Sequence, residues 1–139
     1  VHNHTMEFQP FEGGSKMPYE VLLAETNPSL VAMQLDIGWA SVAGQNVLEM
    51  FRKNPGRFEL WHVKDAAGIK DMAPGMSQSE RQRAAKLVPV GEGEVDYKSI
   101  FANARLAGMK HFCIEQDNAI NGDSLAAART SFQNLKRLI

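Results

Sequence analysis

Four side chains of this 139-residue sequence, His2, Asp36, His62 and Glu115, combine metal-ligating chemistry with a shared kind of position. Each stands near the C-terminal end of a segment with strand character. Phe58 to Asp65 (Phe-Glu-Leu-Trp-His-Val-Lys-Asp) follows a Pro55-Gly56 turn, and its apolar Leu60, Trp61 and Val63 mark a buried strand. Side chains alternate across a strand, so His62 and Lys64 share a face. In Val31 to Asp36, Val31, Met33 and Leu35 lie on one face, with Ala32, Gln34 and Asp36 on the other. In His111 to Glu115, Phe112 and Ile114 oppose His111, Cys113 and Glu115. The opening Val1-His2-Asn3-His4 reads as the end of a fourth such strand. Two imidazoles and two carboxylates make a mixed nitrogen and oxygen donor set for a divalent ion, Mn or Zn first, then Co, Fe or Mg.

The connecting segments carry helical signals. Pro18 starts a helix with Tyr19, Leu22 and Leu23 on its apolar stripe, ending before Asn27-Pro28. Val47, Leu48 and Phe51 mark a second, up to Asn54-Pro55-Gly56. Asp96 can cap a third from Tyr97 to Leu106, with Ile100, Phe101 and Ala104 facing inward and Gly108 ending it. Asp123 or Ser124 opens the last, with Leu125, Ala128, Phe132, Leu135 and Leu138 on its core side. Thr5 to Met17 reads as a long loop, and Ile37 to Gly44 as a loop carrying Trp39. Residues 66–90 form a lid-like loop inserted after the third strand, longer than structureless connections usually run. Within it, Ser77-Gln78-Ser79-Glu80 is a capping box that predicts a helix from about Gln78 to Ala85.

Strand and helix therefore alternate four times, which implies α/β architecture with parallel strands joined by right-handed crossovers. A closed eight-fold barrel needs about 250 residues, so residues 1–139 form one domain equal to about half a barrel, with a small open sheet as the alternative. Half a barrel leaves sheet edges exposed. A missing N-terminal half-barrel or a second chain is accordingly expected as partner, and a homo-oligomer is one way to supply it. In parallel barrels the active site lies at the C-terminal strand ends, where the four side chains would converge.

Fifteen basic against sixteen acidic residues give a net charge of -1, which offers no global attraction to nucleic acid or an anionic membrane. No apolar run approaches the roughly 20 residues that cross a bilayer. Cys113 is the single cysteine, which rules out an intramolecular disulfide and a cysteine-based zinc site, and it reads as a small apolar filler below Glu115. Trp61 reads as core and His111, at the start of its strand, as structural. No signal-peptide pattern is visible in a chain that starts abruptly at Val1, which leaves bacterial cytoplasm and periplasm both open. Gly91-Glu92-Gly93 lacks the pattern of a dinucleotide or Walker loop, and Glu92, Glu94 and Asp96 would repel a phosphate there. Lys70, Arg81 and Arg83 are candidates to meet an anionic group.

The chain resembles the sugar phosphate isomerase/epimerase families of the xylose isomerase-like barrel superfamily. The stretches that carry the resemblance are His2-Asn3-His4 with Glu7-Phe8, Leu35-Asp36-Ile37-Gly38-Trp39-Ala40, His62-Val63-Lys64-Asp65, Val90-Gly91-Glu92-Gly93 and Ile114-Glu115-Gln116-Asp117. They span almost the whole chain but only the last four β/α units of the family's (β/α)8 TIM barrel. The resemblance implies metal ligands at His2, Asp36, His62 and Glu115. Many relatives have Glu where this chain has His2, and His4 is a rival ligand on the same face. Relatives that epimerise ketoses use two metal-bound glutamates as opposed acid and base, of which only Glu115 remains here.

What the resemblance further implies is a metal-dependent isomerase or epimerase acting on a small-molecule carbohydrate by proton transfer next to a carbonyl. Glu115 or His4 would move the proton, Lys64 would bind a substrate oxygen or stabilise an enolate, and Trp39 and His4 would contact the sugar. The same first step can instead lead to loss of a substituent, a dehydratase or lyase acting on a keto-sugar or keto-glycoside. A phosphodiesterase like the superfamily's zinc-dependent DNA-repair endonuclease and a non-catalytic sugar-binding fragment are further alternatives. The near-neutral composition counts against the first of these.

Overall fold

The computed structural model describes residues 1–117 and 122–139. Its centre is a parallel sheet in the order β1 (Gln34–Asp36), β2 (Leu60–Val63), β5 (His111–Ile114). Leu35, Trp61 and Phe112 lie in one row of the ladder, and Asp36, His62 and Cys113 in the next. The N-terminal segment joins the same sheet through a parallel bridge between His2 and Gln34. The four segments that carry the candidate ligands thus run side by side in the same direction, as the alternating pattern requires.

The helices follow from local chemistry. α1 (Pro18–Glu25) has proline in its first turn, where the missing N–H costs nothing. α3 (Val47–Lys53) is capped by Asn46, whose side chain accepts from the Glu49 N–H. Between them the sheet's outer face is covered by Tyr19, Leu23, Phe51, Phe58 and Ile100 packed on Met33, Leu35, Trp61 and Val63. Trp61 lies flat on Phe51, with centroids 5.3 Å apart, and meets Phe101 edge-on at 5.4 Å. Burying a side chain of that size contributes about 1.5–3 kcal/mol, so this face anchors the strands whose ends carry the site.

Residues 37–44, expected to be a loop, begin instead with α2 (Ile37–Val42). The cap is Asp36 itself, whose Oδ1 accepts from the Trp39 N–H at 2.7 Å. Gly38 lets this helix press against the end of β2, since a Cβ there would lie 2.4 Å from the Lys64 carbonyl oxygen. Segment 66–90 is also more ordered than a loop. β3 (Asp65–Ala67) pairs antiparallel with β4 (Lys86–Val88), and α4 (Gln78–Ala84), with the expected Ser77 capping box, lies between them. A small second core of Trp39, Val42 and Ala66, joined by Ile69, Met72 and Leu87, fastens this excursion to the sheet.

Three further expectations are corrected. The helix expected over 97–106 is interrupted at Asn103, giving α5 (Tyr97–Ala102) and α6 (Ala104–Ala107). α7 (Ser124–Leu138) buries Ala127, Ser131 and Leu135, whereas Leu125 and Phe132 are exposed. Hydrogen bonds set its rotation: the Val90 N–H donates to Ser131 Oγ and Asn134 Nδ2 donates to the Val90 carbonyl, each at 2.9 Å. Cys113 is exposed rather than a buried filler, as are His111 and Phe112 beside it, because β5 is the last strand in the order β1-β2-β5.

Candidate metal and active site

One donor atom from each of His2, Asp36, His62 and Glu115 lies within 4.8 Å of the others. Asp36 Oδ2 is 3.5 Å from His2 Nε2 and 3.7 Å from His62 Nδ1, and His62 Nδ1 is 2.6 Å from Glu115 Oε2. All four atoms are buried, and among the described residues their polar contacts are the close ion-pair approaches to one another and to Lys64, without a well-aligned hydrogen bond to any group outside the cluster. Native proteins rarely leave buried polar atoms in that state without a reason such as an ion or water. Four of them aimed at one point, with two imidazole nitrogens and two carboxylate oxygens, fit a divalent transition metal. Ligand atoms about 2.0–2.2 Å from one ion lie up to about 4.4 Å apart, so small shifts bring this set into range.

Neighbouring residues hold these donors in place. Asp36 is fully buried; with Oδ1 engaged as the cap of α2, Oδ2 is left to the site. Asn3, also fully buried, accepts from the Asp36 N–H at 2.9 Å and donates to the Asp36 carbonyl at 3.2 Å. Gln34 Nε2 sits 2.9 Å from His62 Nε2. A half-turn of the amide places its oxygen there instead, where it would accept the Nε2–H and leave the Nδ1 lone pair facing the site, a common arrangement for a metal-bound histidine. The Glu115 N–H donates to the Val63 carbonyl at 3.1 Å, which carries the β2–β5 ladder up to the site.

Lys64 is buried against the same group, its Nζ 3.3 Å from Asp36 Oδ2, 3.1 Å from Glu115 Oε2 and 2.6 Å from Asp117 Oδ2. The Tyr97 hydroxyl fixes its backbone, accepting from the Lys64 N–H at 2.8 Å and donating to the Lys64 carbonyl at 2.7 Å. The next residue, Asp65, accepts from the Ala66, Gly91, Gly93 and Val95 N–H groups at 2.9 to 3.2 Å. The loop after β4 therefore wraps a carboxylate supplied by the protein.

Electrostatics follow from this crowding. Burial is the largest influence on Asp36 and would raise its pKa. His2, His62, Lys64 and the Trp39 N–H outweigh it and bring the value from 3.8 to about 2. Asp36, the strongest influence on His62, and Glu115 raise the imidazole pKa above 6.5 in spite of partial burial. Burial pulls the Lys64 pKa down, but Asp36, Asp117 and Glu115 more than reverse this, and the ammonium stays charged.

His4 lies beside the four-atom group, not in it: it is exposed, and its ring centroid is 5.0 Å from that of His2 and 6.2 Å from Trp39. Trp39 is buried, with the Lys64 ammonium 5.0 Å from its ring centroid. Arg81 donates to the Val42 carbonyl and so fastens α4 to α2. The sequence reading missed the roles of Asn3, Gln34, Asp65, Tyr97 and Asp117. Gln34 carried a signal in its place on the Asp36 face of the strand, and Asn3, Asp65 and Asp117 stand within the resembling stretches; the contacts of Asn3, Asp65, Tyr97 and Asp117 depend on partners 26 to 53 positions away.

No family model matches the chain. It is 29% identical over 105 residues to an inosose dehydratase of Geobacillus thermodenitrificans (strain NG80-2), a match covering 71% of this chain and 35% of that protein. Two crystal structures of sugar phosphate isomerase/epimerase proteins from Parabacteroides distasonis ATCC 8503 superpose with TM-scores of 0.75 and 0.71 at 24% identity, covering 97% and 98% of this chain and 43% and 44% of theirs. The chain thus spans about a third of the length of the curated relative and less than half of each solved structure. These likenesses show the fold alone: an arrangement of parallel strands and helices that matches part of each solved structure.

Proposed function

We propose that this chain carries the metal site of an enzyme that removes a proton next to a carbonyl of a sugar or related cyclic polyol and returns it to the other face of that carbon or to the neighbouring carbon, an epimerase or isomerase. The observation that supports this most directly is the convergence of four buried donor atoms whose ligand atoms lie within 4.8 Å of one another, with the Lys64 ammonium against them. His2, Asp36, His62 and Glu115 would hold a divalent ion, Mn or Zn before Co, Fe or Mg, which supplies Lewis-acid polarisation of a substrate oxygen. Lys64, charged and buried, donates a hydrogen bond to the oxygen on which negative charge develops. Glu115, at 36% exposure the most open of the four ligand side chains, takes up the carbon-bound proton and gives it back. His4, exposed beside His2, is the second proton carrier, and Trp39 bounds the substrate's side of Lys64.

A second reading is elimination of water or another β-substituent after the same proton removal. The similarity to an inosose dehydratase favours it, as does His2 in the position where isomerising relatives have an opposed glutamate. Both readings are tested by proton NMR of the full-length protein with Zn or Mg and a panel of keto-sugars and cyclic keto-polyols in deuterated water. Loss of the signal next to the carbonyl with the carbon skeleton's substituents retained supports isomerisation or epimerisation. Release of a leaving group supports the lyase. No exchange and no product with any substrate overturns both.

A further inference from the structure

The oxygens that Lys64 touches on Asp36 and Glu115 are the same Oδ2 and Oε2 atoms that belong to the four-atom donor group. An ammonium and a divalent ion would therefore compete for one pair of carboxylate lone pairs. Lys64 is 2% exposed, and a buried cation must find negative partners close by. Its third partner is different. Asp117 Oδ2 accepts from Nζ at 2.6 Å, the one of the three contacts with hydrogen-bond geometry, and Asp117 lies outside the donor group. Charged hydrogen bonds of that length are among the strong ones.

We infer that Asp117 is a positioning residue: it draws the Lys64 ammonium aside, so that Asp36 and Glu115 stay available to a metal ion while the ammonium stays beside the substrate. This rests on the metal site proposed above. Without the Asp117 carboxylate, the carboxylate oxygens left beside Lys64 among the described residues are the two metal-binding ones, and the ammonium acts as a resident competitor for them. With it, one N–H of the ammonium is engaged sideways and the others are left for a substrate oxygen.

The test is isothermal titration of the metal-free, full-length protein with Zn2+, comparing wild type with D117N, D117E, K64M and D117N/K64M. We expect D117N to bind Zn2+ about tenfold more weakly, in line with the loss of a partner that orients a metal site. D117E should stay near wild type. D117N/K64M should bind as K64M does, because removing the competitor removes the need for its restraint. A merely structural role for Asp117 would not be rescued by K64M. If D117N does not fold, Asp117→Ser takes its place in both the single and the double variant. Wild-type affinity in D117N, or no rescue in the double variant, overturns the inference and leaves the metal site standing. Failure of the wild type to bind Zn2+ brings down the metal site and the inference with it.

Discussion

The side chain of Asn3 holds both polar groups of the Asp36 backbone, accepting from its N–H at 2.9 Å and donating to its carbonyl at 3.2 Å. The amide continues the parallel ladder where the N-terminal segment leaves it, so the residue carrying Oδ2 into the site is fixed from the backbone outward. Asn3→Ala would strip two buried backbone groups of their partner. An unsatisfied buried group costs about 1–3 kcal/mol, so urea denaturation should show a loss in that range, together with weaker metal binding. Stability within a few tenths of a kcal/mol of wild type would contradict this role.

Gly93 is where the loop after β4 closes on Asp65. A Cβ there would lie 2.1 Å from Asp65 Oδ1 and 2.7 Å from the Ala66 carbonyl oxygen, and the carbonyl cannot swing away without breaking its bond from the Glu94 N–H. Gly93→Ala should therefore destabilise by about 1–3 kcal/mol, the usual cost of forcing atoms into a packed region. Thermal melting checks this; a tolerated alanine would show that the wrap around Asp65 is looser than its four hydrogen bonds imply.

Two shifted groups set opposite pH trends. Asp36, lowered from 3.8 to about 2, contributes stability that is present above 3.8 and lost as pH falls toward 2. His62, raised above 6.5, contributes stability that is full below 6.5 and lost as pH rises through its folded value. The metal-free protein should thus lose stability at the acid end and again as pH rises through the folded His62 value above 6.5. Metal binding needs an unprotonated imidazole, so protons compete with the ion over the same range as the His62 titration. The rise in melting temperature on adding Zn2+ should accordingly be larger at pH 8 than at pH 6. Equal rises at both values would contradict His62 as a ligand.

Much of this was legible before the fold was known. Parallel segments ending in His2, Asp36, His62 and Glu115 follow from period-two alternation and interposed helical stretches, because both are local patterns. Asp36 shows where local reading stops. Its two carboxylate oxygens do different work, Oδ1 capping α2 and Oδ2 facing the site, and the cap turned an expected loop into a helix. α7 was misread for a similar reason. Leu125, Ala128 and Phe132 make an apolar stripe, but Ser131 and Asn134 hydrogen-bond to Val90 and turn Ala127, Ser131 and Leu135 inward. The strand pair β3–β4 escaped notice because only three residues on each side take part.

The central claim is that His2, Asp36, His62 and Glu115 converge to bind a single ion. Anomalous diffraction at the zinc edge, from crystals of the full-length protein grown with Zn2+, tests it directly. The account predicts one strong peak in contact with His2 Nε2, Asp36 Oδ2, His62 Nδ1 and Glu115 Oε2. A peak elsewhere, or density showing these four atoms hydrogen-bonded to one another with no ion between them, would contradict it.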